Sequence, residues 1–196
     1  MTWRTHVMGG IVSLWLIPTT TSFDSTSLAI IFAVLGSLLP DLDARESKLS
    51  SVAMGGITPL KPVARLLSRS LGHRGPLHSL LAVLVIAVCL SLPLAFFLDP
   101  FAGLGLALGY LSHLLLDACT KSGVPLTWPD TKRVHLLPPG LRFTTGSVAE
   151  DGLFILLSLA AAGLLLINLF QFNYAANTLR NETNSTTTSA FRSALC

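Results

Sequence analysis

His113 and Asp117 stand four residues apart, so on a helix they share a face, and an imidazole beside a carboxylate is a ligand pair for a divalent metal. They lie near the end of an apolar run, residues 109–123 (GYLSHLLLDACTKSG), where an ionisable group costs roughly 2.5 to 3.5 kcal/mol to insert and is a functional-site candidate. Residues of the same chemistry recur at other segment ends. His6 opens the first apolar segment, Asp41 and Asp43 in LLPDLD close the second, His73 and His78 in GHRGPLHS open the third, and Glu150 and Asp151 open the last. Imidazole nitrogens and carboxylate oxygens hold borderline and hard divalent ions. The candidate ligands are therefore His6, Asp41, His73, His78, His113, Asp117 and Glu150. A closed site uses four, so this set points to two or more ions, and paired ions clamp the attacking and leaving oxygens of phosphoester hydrolysis. Asp41 is the candidate bridge, and Asp43 and Glu150 are the candidate catalytic bases. Arg74 and Arg142, always charged and bidentate, are candidates for holding substrate phosphate. Each has a plainer account when taken singly: an aspartate can end a helix, Glu150 can favour a helix N-terminus, and the arginines can serve topology alone.

The elements that must position these residues follow from composition. With 196 residues, 51% hydrophobic and only 12% charged, the chain is much greasier than a soluble domain of about 25% charge, and reads as an all-α polytopic membrane helix bundle. Its five apolar segments are roughly residues 5–17, 27–39, 77–98, 101–116 and 152–172. Only the third and fifth reach the ~20 residues that span a bilayer core. Two long linkers carry the basic residues: Arg45, Lys48, Lys61, Arg65, Arg69 and Arg74 in the first, Lys121, Lys132, Arg133 and Arg142 in the second. Residues 18–26 and 99–100 carry none. Basic loops stay inside, so both linkers are expected in the cytoplasm, with the metal site facing it and the C-terminal tail outside. Residues 1–172 then form the membrane-embedded domain. Residues 173–196, rich in Ser, Thr and Asn with little to bury, are expected to be a disordered tail.

Other chemistries lack their signatures. Cys89, Cys119 and Cys196 form no C-x-x-C pair, which indicates neither a disulfide framework nor a thiolate cage, although Cys119 lies close to Asp117. No Walker A loop or G-x-S-x-G elbow is present. Ser79 and Ser112 neighbour histidines and suit the orientation of a ligand better than nucleophilic attack. The net charge of +3 is modest and placed by topology, so no nucleic-acid binding is expected.

The motifs THVMGG, LLPDLD, GHRGPLHS, GYLSHLLLDACTKSGVPLTWP and LRFTTGSVAED, in order over residues 5–151, resemble the YdjM-like family of LexA-regulated inner-membrane proteins. What this resemblance implies is a bacterial or archaeal inner-membrane location and a metal-dependent hydrolase. The order of His, Asp, His, H-x-x-x-D and a late acidic residue is also similar to the zinc-dependent phospholipase C and P1 nuclease superfamily, all-helical proteins with a zinc cluster, which implies Zn2+. The sequence departs from that pattern at Gly146, four residues before Glu150, where a second histidine-carboxylate pair is expected; His135 is far from that place. The expectation is a hydrolase that acts on an ester or phosphoester of a lipid or amphiphile at the cytoplasmic membrane face. The alternatives are a non-catalytic membrane protein that binds or transports metal ions and a partner protein whose histidines only stabilise the fold. Against transport, the third and fifth segments carry no charge between their ends.

Overall fold

The computed structural model describes residues 1–17, 23–43, 58, 61–62, 66, 75–130 and 132–194, with side chains for all of these except 23–26, 43, 175, 179 and 182–194. His73, Arg74 and the side chain of Asp43 lie outside the described residues. Among the described residues the regular elements are all helical and there is no strand, as the apolar segments require. The longer helices with described bounds follow in order: α1 (Trp3–Trp15), α2 (Phe23–Leu38), α3 (Leu80–Phe97), α4 (Pro100–Ala118) and α5 (Val148–Ala194). Short 3-10 turns at Pro40–Asp43 and Pro76–His78 carry two of the candidate ligands.

The hub is α4. Asp99 starts it, accepting from the amides of Phe101 and Ala102 at 2.8 and 3.1 Å, with Pro100 in the first turn, where a missing N–H costs nothing. The helix then runs 19 residues, through His113 and Asp117. This makes it long and apolar enough to cross a membrane, together with Leu80–Phe97 and the Val148–Thr178 part of α5. The apolar run from residue 101 to 116 underestimates it, because the capped start and the polar end both lie outside that run.

Glycines let α2 lie directly against α4. A Cβ at Gly36 would stand 2.2 Å from the Leu106 carbonyl oxygen, and one at Gly109 would stand 2.0 Å from that of Ala33. Small residues at such crossings are how membrane helices gain close backbone packing where hydrophobic contrast is lacking. The helix α1 packs against α2, α4 and α5, and Asn168 of α5 donates to the Trp15 carbonyl oxygen at 3.3 Å. On α3, residues Ala87–Ser91 form a π-helical turn beside α4. The outer faces of α3 and α5 expose Leu84, Leu92, Phe96, Leu156, Leu166 and Phe170, an apolar surface of the kind a bilayer covers.

The second linker closes the end of α4. Leu136 and Phe143 donate backbone bonds to the carbonyl oxygens of Ala118 and Cys119 at 2.9 and 3.1 Å, which meets acceptors that a helix C-terminus leaves open. Val124 and Val134 exchange backbone bonds across the same linker, and the Leu80 amide donates to Leu126 at 2.9 Å. The chain between α4 and α5 is thereby tied to both α3 and α4. At the other end, α5 continues past the composition boundary at residue 172, where its described side chains are exposed.

Candidate metal centre

Four elements deliver five ionisable residues to one place. His6 comes from α1, Asp41 from the turn after α2, His78 from the turn before α3, and His113 and Asp117 from the last turns of α4. His6, His78, His113 and Asp117 are fully buried. Asp41 is the open member, with its side chain 26% exposed. Local structure explains several placements. Ser79 caps α3, accepting from the Ala82 amide at 3.2 Å while its hydroxyl donates to Pro76 at 2.6 Å, which holds the turn that presents His78. The Tyr110 hydroxyl donates to the Leu77 carbonyl oxygen at 2.5 Å and ties the same turn to α4.

His113 shows how the centre is prepared. Its Nδ1 lies 2.7 Å from the Ser37 carbonyl oxygen, which can only accept, so Nδ1 carries the proton and Nε2 presents a lone pair. That Nε2 is buried and has no hydrogen-bond partner among the described residues. It faces Asp41 Oδ1 at 3.7 Å and Asp117 Oδ2 at 4.0 Å, two further acceptors. Lone pairs of Nε2 and carboxylate oxygens that converge in buried space repel one another, and a cation among them relieves that repulsion. Two ligands held tetrahedrally at ~2.0 Å from zinc are about 3.3 Å apart. The observed spacings are of that order: 3.3 Å from His6 Nε2 to Asp117 Oδ1, and 3.9 Å from His78 Nε2 to both Asp41 Oδ1 and Asp117 Oδ2. The rings of His6 and His113 stack with centroids 3.7 Å apart.

The residues present fit a metal. His6, Asp41 and His113 form one group with ligand atoms within 4.8 Å of one another, and His78, His113 and Asp117 form a second. The two share His113, and Asp117 turns Oδ1 toward His6 and Oδ2 toward His78 and His113. Asp41, the bridge expected from the sequence, turns its Oδ1 toward both His78 and His113 at 3.9 and 3.7 Å, so both carboxylates face more than one histidine. Asp117 Oδ1 also accepts from the Met1 ammonium.

Glu150 stands outside both groups among the described residues. Its carboxylate accepts from the Thr2 amide at 2.5 Å, the Thr5 hydroxyl at 3.0 Å and the Gly146 amide at 2.6 Å, which ties α5 to the start of α1. Gly146 occupies the position where the phospholipase-like pattern expects a histidine, and its amide reaches the carboxylate instead. Arg142 donates to the Leu137 carbonyl oxygen at 2.9 Å within the linker, and His135 lies 3.2 Å from the Lys121 carbonyl oxygen. The half-buried Cys119 belongs to neither group, and burial pushes its thiol pKa up, away from the thiolate a metal would take. The Ser112 hydroxyl donates to Gly109 in its own helix at 2.8 Å. Sequence reasoning missed the Ser37 carbonyl and the Thr2, Thr5 and Gly146 donors, because nearly all of these are backbone groups that leave no mark in residue type.

Helices that cross a membrane and meet at their ends around a buried His/Asp group define a polytopic membrane protein with residues able to hold a metal ion. The profile of the YdjM inner membrane protein family matches residues 1–180, and the chain belongs to that family. It is 36% identical over 172 residues to the uncharacterized protein YvsG of Bacillus subtilis (strain 168), a match that covers 88% of this chain and 94% of that one. It is 42% identical over 106 residues to the inner membrane protein YdjM of Escherichia coli (strain K12), which covers 53% of this chain and 50% of the relative, and matches YdjM of Shigella flexneri equally. No solved structure matches the chain.

Proposed function

We propose that this protein is a divalent-metal-dependent hydrolase of the inner membrane that acts on an ester or phosphoester of a lipid or amphiphile at the cytoplasmic face. The observation that carries the reading is His113 Nε2, buried, fixed as an acceptor by Ser37 and aimed at two carboxylates. His6, Asp41, His78, His113 and Asp117 would hold the metal, with Zn2+ favoured by three imidazoles and two ions favoured by the two overlapping groups. When bound, such ions supply charge neutralisation and Lewis-acid activation for phosphoester cleavage.

The remaining roles belong to the chain. Asp41, the open ligand, marks the side from which a substrate reaches the centre. The linker between α4 and α5 is bonded to the end of α4 and the start of α3, beside imidazoles that are fully buried, and burial raises the strength of the electrostatic contacts there. Glu150, with three donors, acts as a positioning residue, and the proton-accepting role falls to Asp43. Basic residues in both linkers support an orientation with this face in the cytoplasm and the chain after residue 172 outside. Arg74 and Arg142 are the linker cations available to a phosphate.

Elemental analysis of detergent-purified wild type beside His113→Ala tests the reading, followed by a phosphoester panel on metal-loaded protein. At least one zinc equivalent in wild type, its loss in the variant, and hydrolysis that chelation stops are the expected results. Wild type that repeatedly purifies without metal and cannot be reloaded overturns it.

A further inference from the structure

A groove of about 310 Å3, lined by Phe32, Leu35, Leu39, Leu42, Leu90, Leu94 and Leu106, runs between α2, α3 and α4. Its size is at the lower end of the range for ligand sites, and its lining side chains offer no donor or acceptor. Only an apolar occupant suits it.

Its position says which occupant. Leu39 and Leu42 flank Asp41 in the chain, so one end of the groove adjoins the open ligand of the candidate centre. Leu106 lies seven residues before His113 on α4, about 10 Å along the helix at 1.5 Å per residue, so the other end runs into the depth of the span. The π-helical turn at Ala87–Ser91, a distortion often found at functional sites, contributes Leu90 to the wall. We propose that this groove holds one acyl chain of a lipid drawn from the surrounding bilayer, with the head group delivered to Asp41 and the metal centre. The substrate class is then a membrane phospholipid rather than a soluble phosphoester. This inference rests on the hydrolase reading for its head group and on the groove alone for its chain.

The test uses the full-length protein in nanodiscs of phosphatidylcholine that contain phosphatidic acid with a diazirine at the end of one acyl chain. After irradiation, cross-links are mapped by mass spectrometry, and metal content is measured on the same preparation. Enrichment on Phe32, Leu90 or Leu94, reduced about tenfold or more by Leu94→Trp or Leu35→Trp, is expected, since an indole displaces several methylenes and each buried methylene is worth about fourfold in affinity. Leu166→Trp, on the exposed face of α5, leaves the labelling unchanged. Labelling spread over α3 and α5 without enrichment, labelling that the groove substitutions do not alter, or cross-links to a second copy of the chain would each overturn the acyl-chain assignment. Metal-free wild type that still shows the enrichment would sink the hydrolase reading while the chain-binding groove stands.

Discussion

At Gly109 the helix packing and the candidate metal centre depend on the same stretch of α2, from Ala33 to Ser37. A methyl group there would stand 2.0 Å from the Ala33 carbonyl oxygen and 2.9 Å from the Ser37 nitrogen, where ordinary contact begins near 3.4 Å. Both neighbours are backbone, so no side chain can rotate away, and Gly109→Ala must part α2 from α4 by about 1.4 Å. His113 lies one turn further along α4, with its Nδ1 2.7 Å from the Ser37 carbonyl oxygen. A displacement of that size takes the pair beyond about 3.5 Å, where no hydrogen bond remains. The imidazole is then free to rotate and change tautomer, and the loss of such a supporting bond weakens metal binding by about 10- to 100-fold.

Competition against chelators of graded affinity measures the loss, while circular dichroism and size-exclusion chromatography establish that the helices and the assembly persist. Gly163→Ala is the matched control, because a Cβ there meets nothing within 4 Å, and its affinity stays at the wild-type value. Gly36→Ala meets the Leu106 carbonyl oxygen at 2.2 Å on the facing helix and shifts affinity in the same direction as Gly109→Ala. A folded Gly109→Ala protein that binds metal as tightly as wild type would refute the reasoning, since His113 would then not depend on the approach of α2.

Three further outcomes follow from the contacts around the centre. Glu150→Ala strands the donors of Thr2, Thr5 and Gly146, which lowers stability by on the order of 2 kcal/mol, read as a lower thermal unfolding midpoint, while metal content holds. Loss of metal in that variant would instead make Glu150 a ligand. Tyr110→Phe removes the bond to Leu77 and loosens the turn that carries His78; chelator competition should show metal affinity reduced by about tenfold, and an unchanged value would separate Tyr110 from the centre. Alkaline phosphatase fused after residue 180 should be active in cells, and the same reporter within the second linker inactive; the reverse pattern would turn the metal centre to the outer face.

Much of the architecture was legible because a membrane makes ionisable residues expensive. His6, Asp41, His78, His113 and Asp117 are tolerated where helices end, and the period-four spacing of the last pair already put both on one face. The charge of the linkers then brought those ends to one level, and the structure brings the same five residues within a few ångströms of one another. What sequence could not show is carried by groups that every residue possesses. The Ser37 carbonyl fixes the His113 tautomer, and the amides of Thr2 and Gly146 occupy Glu150, yet neither donors nor acceptors of the backbone vary with side-chain type. The same limit applies to the carboxylates. Asp41 and Asp117 are chemically equivalent in the sequence, and only the packing of the elements turns the two oxygens of Asp117 toward different histidines while Asp41 Oδ1 faces both His78 and His113. The glycines between α2 and α4 carry no chemistry of their own, yet the close approach they allow is what brings the Ser37 carbonyl to His113.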